Sequence, residues 1–278
     1  MRSPIGIFDS GYGGLTILSA IRKQLPQYDY IYLGDNARAP YGTRSFEVIN
    51  DFTLQAVEYL FAEGCPLVIL ACNTASAKAL RAIQQHYLPF SQDPSRRVLG
   101  VIRPTVEAIE GFTETGHVGV VATPGTISSH SYEHEIAKLF PHVQVTGQAC
   151  PMWVPLVEYG ESQSPGADYF VRHYLEQLLA RDADIDTLIL ACTHYPLLSG
   201  VIQLAMGEHV TLVSSAEETA KDVVRILSEN DMLAERDGDG AEPVVRSFES
   251  TGDPALFAQL ADRFLGPHVT QVSQLGAV

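Results

Sequence analysis

Two cysteines stand in nearly the same setting. Residues 67–75 read LVILACNTA and residues 188–195 read LILACTHY. In each, a run of Val, Ile and Leu ends at Ala-Cys and gives way to short polar residues and then to a stretch compatible with a helix. Cys72 and Cys192 are therefore expected where a buried strand meets a helix start, at the carboxyl edge where open α/β sheets bind ligands. Asn73-Thr74 can cap a helix over 75–85 and turn free N–H groups toward the sulfur, which favours thiolate. His194 lies two residues beyond the second cysteine, and Pro196 suits the first turn of the next helix. Glu158 closes an apolar, proline-bounded loop over 150–158, and Asp9-Ser10 follows the first apolar strand. Two thiols, one served by Asp9 and the other by His194 with Glu158, suit the removal of a proton from one face of a carbon and the return of one to the opposite face. Cys65, which precedes its strand, and Cys150 read as buried and inert.

The elements that must hold these groups alternate between strand and helix. A strand over 5–8 runs into DSGYGG and a helix marked by Leu15, Leu18, Ile21 and Leu25. That loop presents backbone N–H groups to an anion, yet its spacing matches neither the P-loop nor the dinucleotide fingerprint. A tight turn needing positive φ is the other reading, and it leaves Asp9 and Ser10 unexplained. A strand over 30–33 ends in GDNARAPYG, where Asp35 reads as a turn residue or a cap. Next come a helix over 46–61 stopped by Gly64, the first cysteine strand, and a polar break over 90–97 that suits a crossing between domains. A strand over 99–102, a loop at Arg103-Pro104-Thr105, a helical turn over 106–111 and a strand over 118–121 follow. The last of these ends in ATPGT and imitates the opening of the chain at an offset of 113 (119 − 6), while the cysteines are offset by 120 (192 − 72). Two similar offsets imply duplication of an α/β unit. A helix over 131–140, a strand over 143–145 and a helix over 167–180 lead to the second cysteine. Beyond it, a strand over 210–213, a helix over 216–227, an acidic mobile loop over 235–242, a strand over 244–249 and a helix over 254–264 show no chemistry. They are expected to complete the first domain's sheet.

With 278 residues the chain can bury an ample core. Its net charge of −15, spread without an acidic tail, excludes nucleic acid or an anionic membrane as main partner. The four cysteines form no dense secreted framework and fit a reducing compartment. No apolar run reaches membrane length, and a first strand starting at Pro4 leaves no room for a signal peptide, so a cytoplasmic protein is expected.

In this order, DSGYGG, GDNARAPYG, ACNTA, ATPGT, CPMWVPLVE and LACTHYP resemble the cofactor-independent aspartate/glutamate racemase family, its glutamate-specific members in particular. The resemblance covers nearly the whole chain. It implies interconversion of L- and D-glutamate, supplying D-glutamate for bacterial peptidoglycan. It also implies an α/β fold of two similar domains with mainly parallel sheets, related by pseudo-twofold symmetry, with the active site in the cleft between them. The first would span 1–98 plus 213–278, and the second 99–212. By motif, Cys72 and Cys192 carry over as acid/base thiols, Asp9, Glu158 and His194 as their assistants, and Asp35 as a further one. Asp9, Ser10, Tyr41 and Gly42 carry over as substrate contacts, as do Asn73, Thr74, Thr193 and His194, with Thr123 and Thr126 joining them. The family pattern assigns D-glutamate to Cys72 and L-glutamate to Cys192. It implies no cofactor and no metal, a small-molecule partner rather than nucleic acid or membrane, and it allows a homodimer.

Two positions depart from the family pattern. Arg103-Pro104-Thr105 stands where many relatives have Glu-Pro-Gly, and Ser214-Ser215 where many have Asp-Ser, which bears on packing or regulation rather than on the thiols. The N-terminal extension of relatives regulated by a cell-wall precursor is not expected here. A protein this acidic must hold an anionic amino acid with neutral donors such as Ser10, Asn73, Thr74 and Thr193. Aspartate racemase is the nearest rival, with an acidic residue where His194 stands. A pyridoxal-phosphate racemase needs a Schiff-base lysine, and Lys23, Lys78, Lys138 and Lys221 all fall in helical segments. A thiol-based metal or ligand sensor would use Cys72, Cys192 and His194, although Cys-x-His is not a usual structural zinc spacing.

Overall fold

The computed structural model describes residues 3–91, 93–229, 245–265, 269 and 271–276. The chain divides into two compact units, residues 1–101 with 216–278 and residues 102–215. Among the described residues the strands are β1 (Ile5–Asp9), β2 (Tyr30–Gly34), β3 (Leu67–Leu70), β4 (Arg97–Gly100), β5 (His117–Ala122), β6 (Gln144–Ala149), β7 (Thr187–Ala191), β8 (Thr211–Ser214), β9 (Val245–Ser250) and β10 (Val272–Gln274). One sheet has the order β10-β9-β2-β1-β3-β4 and the other β6-β5-β7-β8. Every neighbouring pair is parallel.

Parallel strands covered by helices on both faces must be apolar throughout. β1, β2, β3 and β7 accordingly bury every residue, whereas the edge strands β6 (QVTGQA) and β10 do not. Alternate side chains divide the first unit's core into two layers. Ile5, Ile7, Tyr30, Tyr32, Leu67 and Ile69 meet the helices Leu15–Gln24, Ser215–Glu229 and Pro254–Leu265. Phe8, Ile31, Leu33, Val68 and Leu70 meet the helix Phe46–Ala62.

Several expectations change. The strand expected over 210–213 is β8, which pairs with β7 in the second sheet, so only β9, β10 and the two late helices complete the first. β10 carries no apolar alternation by which to foresee it. Arg103-Pro104-Thr105 is not a loop but lies within the helix Ile102–Ala108, with the proline in the first turn where its missing N–H costs nothing. The expected loop over 150–158 winds into the helix Trp153–Glu158, because Trp153 and Val157 recur one turn apart on a buried face. The acidic loop expected over 235–242 lies outside the described residues, as does residue 244. Among the described residues no helix is long and apolar enough to cross a membrane.

Candidate active site

Strand order locates the chemistry. In the first sheet β1 is followed by β2 on one side and β3 on the other, and the carboxyl ends of β1 and β3 flank the switch point at which parallel α/β sheets open a crevice. The second sheet repeats the arrangement, since β6-β5-β7-β8 follows the order of β2-β1-β3-β4. Cys72 comes just after β3 and Cys192 just after β7. The registers Phe8↔Leu70 and Ala122↔Ala191, continued past the strand ends, set Ser10 beside Cys72 and Thr123 beside Cys192. The short sequence repeat is thus the visible part of a repeated topology.

In the first unit, Cys72 Sγ lies 3.5 Å from Ser10 Oγ. The helix Asn73–Lys78 is capped not by Asn73 or Thr74 but by the sulfur itself, which accepts the Ala75 N–H at 3.5 Å. The cysteine is the last extended residue before the turn, so its side chain, not theirs, meets the first free N–H groups. Asn73 and Thr74 are buried beside it. Asp9, 1% exposed at the end of β1, accepts the Gly11 N–H through Oδ2 at 3.0 Å. No glycine of DSGYGG is among the positive-φ residues, which overturns the tight-turn reading. Gly14 is needed for space: a Cβ there would lie 2.6 Å from Asp9 Cβ and 2.9 Å from its Cγ.

Asp35, also 1% exposed, sits under the GDNARAPYG loop. Its Oδ2 accepts from Arg38 Nε at 2.6 Å and from the Tyr41 hydroxyl, and its Oδ1 accepts from Thr251 Oγ1 at 2.8 Å. Tyr41 is buried, and desolvation followed by the charge of Asp35 pushes its phenol far above the usual range. The Tyr41 hydroxyl is thus committed to Asp35. Arg38 is drawn onto Asp35 and over the Phe52 ring, 4.2 Å from its centroid, so its charge is compensated locally.

In the second unit a line of proton-handling groups runs back from the thiol. Cys192 Sγ is 3.9 Å from His194 Nδ1, Thr193 Oγ1 is 3.4 Å from the same nitrogen, and His194 Nε2 is 3.0 Å from Glu158 Oε1. The residues after Cys192 form the 3-10 helix Tyr195–Leu198, with Pro196 in its first turn, and not an α-helix as after Cys72. The tighter turn lets the ring of His194, only 5% exposed, lie back against the sulfur. Burial opposes an imidazolium here, but hydrogen bonds to Cys192 and Glu158 and their charges outweigh it and raise the pKa from 6.5 to about 10. The ring is held as a cation beside the thiol, the setting that favours thiolate. Thr123 caps the helix Pro124–Ser128 and lies 3.2 Å, hydroxyl to hydroxyl, from Thr126.

A family model described as Asp/Glu/Hydantoin racemase matches residues 15–223, most of the chain. The chain belongs to that racemase family. It is 49% identical over 278 residues to a glutamate racemase of Corynebacterium diphtheriae, covering 100% of this chain and 99% of the relative. In structure it is similar to a glutamate racemase of Bacillus anthracis, with a TM-score of 0.89 and 40% identity over 98% of this chain and 97% of the other. A glutamate racemase of Francisella tularensis solved in complex with D-glutamate gives a TM-score of 0.87 and 32% identity, over 99% and 98%.

In this racemase-family chain, the side chains that sequence reasoning missed are supports. Tyr32, buried, donates its hydroxyl to Gly11 O at 2.9 Å, and burial, then the charges of Asp9 and Cys72, push its phenol well up. Tyr195 donates to Cys150 O at 3.0 Å and meets the Trp153 ring edge-on at 4.8 Å, fixing the residue after His194. Periodicity hints at burial for these aromatic residues but not at their partners. Cys65 and Cys150 are buried and in no disulfide, and desolvation raises the Cys150 thiol well above the ordinary range. One group among the described residues has the donors for a metal, His117, Asp182 and Asp184, with ligand atoms within 4.8 Å. It lies at the amino end of β5, away from the thiols. Its central carboxylate, Asp182, already contacts His117 Nδ1 at 2.9 Å and accepts from Gln144, Thr146 and the Asp184 N–H.

Proposed function

We propose that the chain is a glutamate racemase that interconverts L- and D-glutamate without a cofactor and supplies D-glutamate for peptidoglycan. The observation that carries this reading is a pair of thiols at equivalent strand ends with unlike proton partners: a hydroxyl and an amide N–H at Cys72, a cationic His194 braced by Glu158 at Cys192. Similarity along the whole chain to proteins named glutamate racemase supports glutamate over aspartate.

An α-hydrogen is weakly acidic, so its removal needs a poised base and donors for the charge that develops. Cys192, with the His194 ring 3.9 Å from its sulfur, is the base toward L-glutamate. Cys72, whose thiol donates to Ser10, is the acid form. Cys192 thiolate takes the α-hydrogen of L-glutamate as a proton and becomes a thiol, while the electron pair stays on carbon. Cys72 thiol then delivers its proton to the other face and becomes a thiolate that the Ala75 N–H and the Ser10 hydroxyl hold. D-glutamate runs the same steps from Cys72. Asp9 behind Ser10 and Glu158 behind His194 are the assisting carboxylates, and Asp35 positions Tyr41. Asn73, Thr74 and Thr193 supply neutral donors to the substrate, and the Tyr41–Gly42 backbone and Thr123 with Thr126 complete its shell. Four buried cysteines, none of them in a disulfide, support a reducing, cytoplasmic setting.

The test is isotopic. In deuterated water, starting from either enantiomer of glutamate, initial product should carry deuterium while recovered substrate stays protiated, because the two protons never share one sulfur in a single passage. Early deuterium in recovered substrate at the rate of racemisation would rule out two bases. Turnover of aspartate with none of glutamate would move the chain to the rival activity.

A further inference from the structure

The C-terminal segment looks inert in sequence, yet it reaches the loop that carries Tyr41 and Gly42. Ser250 ends β9, and Thr251 and Gly252 follow it; together they lie against the turn after β2. The Thr251 N–H donates to Gly34 O at 3.1 Å, and Ser250 Oγ donates to Asn36 Oδ1 at 3.0 Å. A Cβ on Gly252 would lie 3.0 Å from Asn36 Cβ, so the two segments approach closely there. Thr251, 9% exposed, uses both capacities of its hydroxyl: the proton goes to Asp35 Oδ1 at 2.8 Å, and a lone pair takes the Ala37 N–H at 3.1 Å.

Asp35 is thereby held through both of its oxygens. Both other donors, Arg38 Nε and the Tyr41 hydroxyl, act on Oδ2. Thr251 is the donor on Oδ1 and so fixes the carboxylate against rotation. Tyr41 is wedged between Phe8 and Phe52, with ring centroids 6.2 and 6.0 Å away, and its hydroxyl ties the ring to Asp35. We infer that Thr251 is a positioning residue of the substrate loop, its hydroxyl orienting Asp35 and, through Asp35, the Tyr41–Gly42 backbone that meets the amino acid. The inference rests on the reading of that backbone as a substrate contact in a glutamate racemase.

Steady-state kinetics with L- and with D-glutamate on the wild type, Thr251→Val and Thr251→Ser test it. Valine keeps the shape and removes the hydroxyl; serine restores it. Thr251→Val should raise KM for both enantiomers about tenfold with kcat within about twofold, the pattern of lost uniform binding, and Thr251→Ser should stay within about twofold of wild type. In a Tyr41→Phe background the valine substitution should add less than about twofold, because the link it breaks is already cut. An unchanged KM in folded Thr251→Val, a serine variant as impaired as the valine one, or an equal effect in the Tyr41→Phe background overturns the inference. If Thr251→Val does not fold, Thr251→Ala is read by the same criteria, and failure of both to fold overturns it too, as Thr251 would then serve folding. A wild type that does not racemise glutamate refutes instead the reading on which the inference rests.

Discussion

The chemistry of His194 is reset by its neighbours. Its folded-state pKa of about 10 stands above the ordinary 6.5. A raised value means that its charged form stabilises the fold fully below pH 6.5 and that this stabilisation is lost as pH climbs through about 10. Glu158→Gln keeps an acceptor for Nε2 but removes a charge, so the ring's titration midpoint, followed by NMR, should fall. A fall of one pH unit is about 1.4 kcal/mol of lost preference for the imidazolium. The thermal midpoints of wild type and variant should differ most at and just below pH 6.5 and converge once pH has risen past about 10. Racemisation should drop about tenfold or more, since His194 then stands less often as the cation beside Cys192. A midpoint that does not move on removal of the Glu158 charge would assign the raised pKa to Cys192 alone.

The turn after β1 is the element on which the first half of the site depends. Its glycines read as an anion cradle or a positive-φ turn, but Gly14 has φ −60°, a conformation alanine adopts freely. What excludes a methyl group is the Asp9 side chain at 2.6 Å, with Ala71 Cβ at 3.0 Å behind it. Gly14→Ala should therefore cost about 1–3 kcal/mol in a urea titration through overpacking. It should also lower racemisation more than stability explains, because Asp9 must move. Retained activity in the alanine variant would show that Asp9 needs no fixed place. After β3 the cap is Cys72 itself, so the residue poised for chemistry is also the one that starts the helix.

Across the whole molecule, residues distant in sequence support the loops that carry the thiols' neighbours. Phe257, fully buried in the helix Pro254–Leu265, meets the rings of Tyr12 and Tyr32 at 5.4 and 5.9 Å, beneath the Gly11 turn. Phe257→Ala should cost about 3–5 kcal/mol of stability in denaturant unfolding. Leu256, its neighbour at 47% exposure, should cost less than about 0.5 kcal/mol as Leu256→Ala. Equal costs would mean that the late helix does not carry the core.

What the sequence determined by itself was local chemistry and class. A buried parallel strand has to be an apolar run, and the two runs that end in Ala-Cys announce both the α/β fold and the placing of Cys72 and Cys192. Asp9, Ser10 and His194 could be singled out as candidates because they lie just past the ends of such runs, whereas Glu158 after an apolar, proline-bounded stretch was by itself a weak sign. What only the tertiary structure decided depends on contacts that no spacing encodes. That Glu158 reaches His194 from 36 residues away, and that β8 joins the second sheet while β9 and β10 join the first, follow from which strand neighbours which. Thr251 is the clearest case: it meets Asp35 across 216 residues of chain, where hydrogen bonds form because folding brings buried donors to a buried carboxylate.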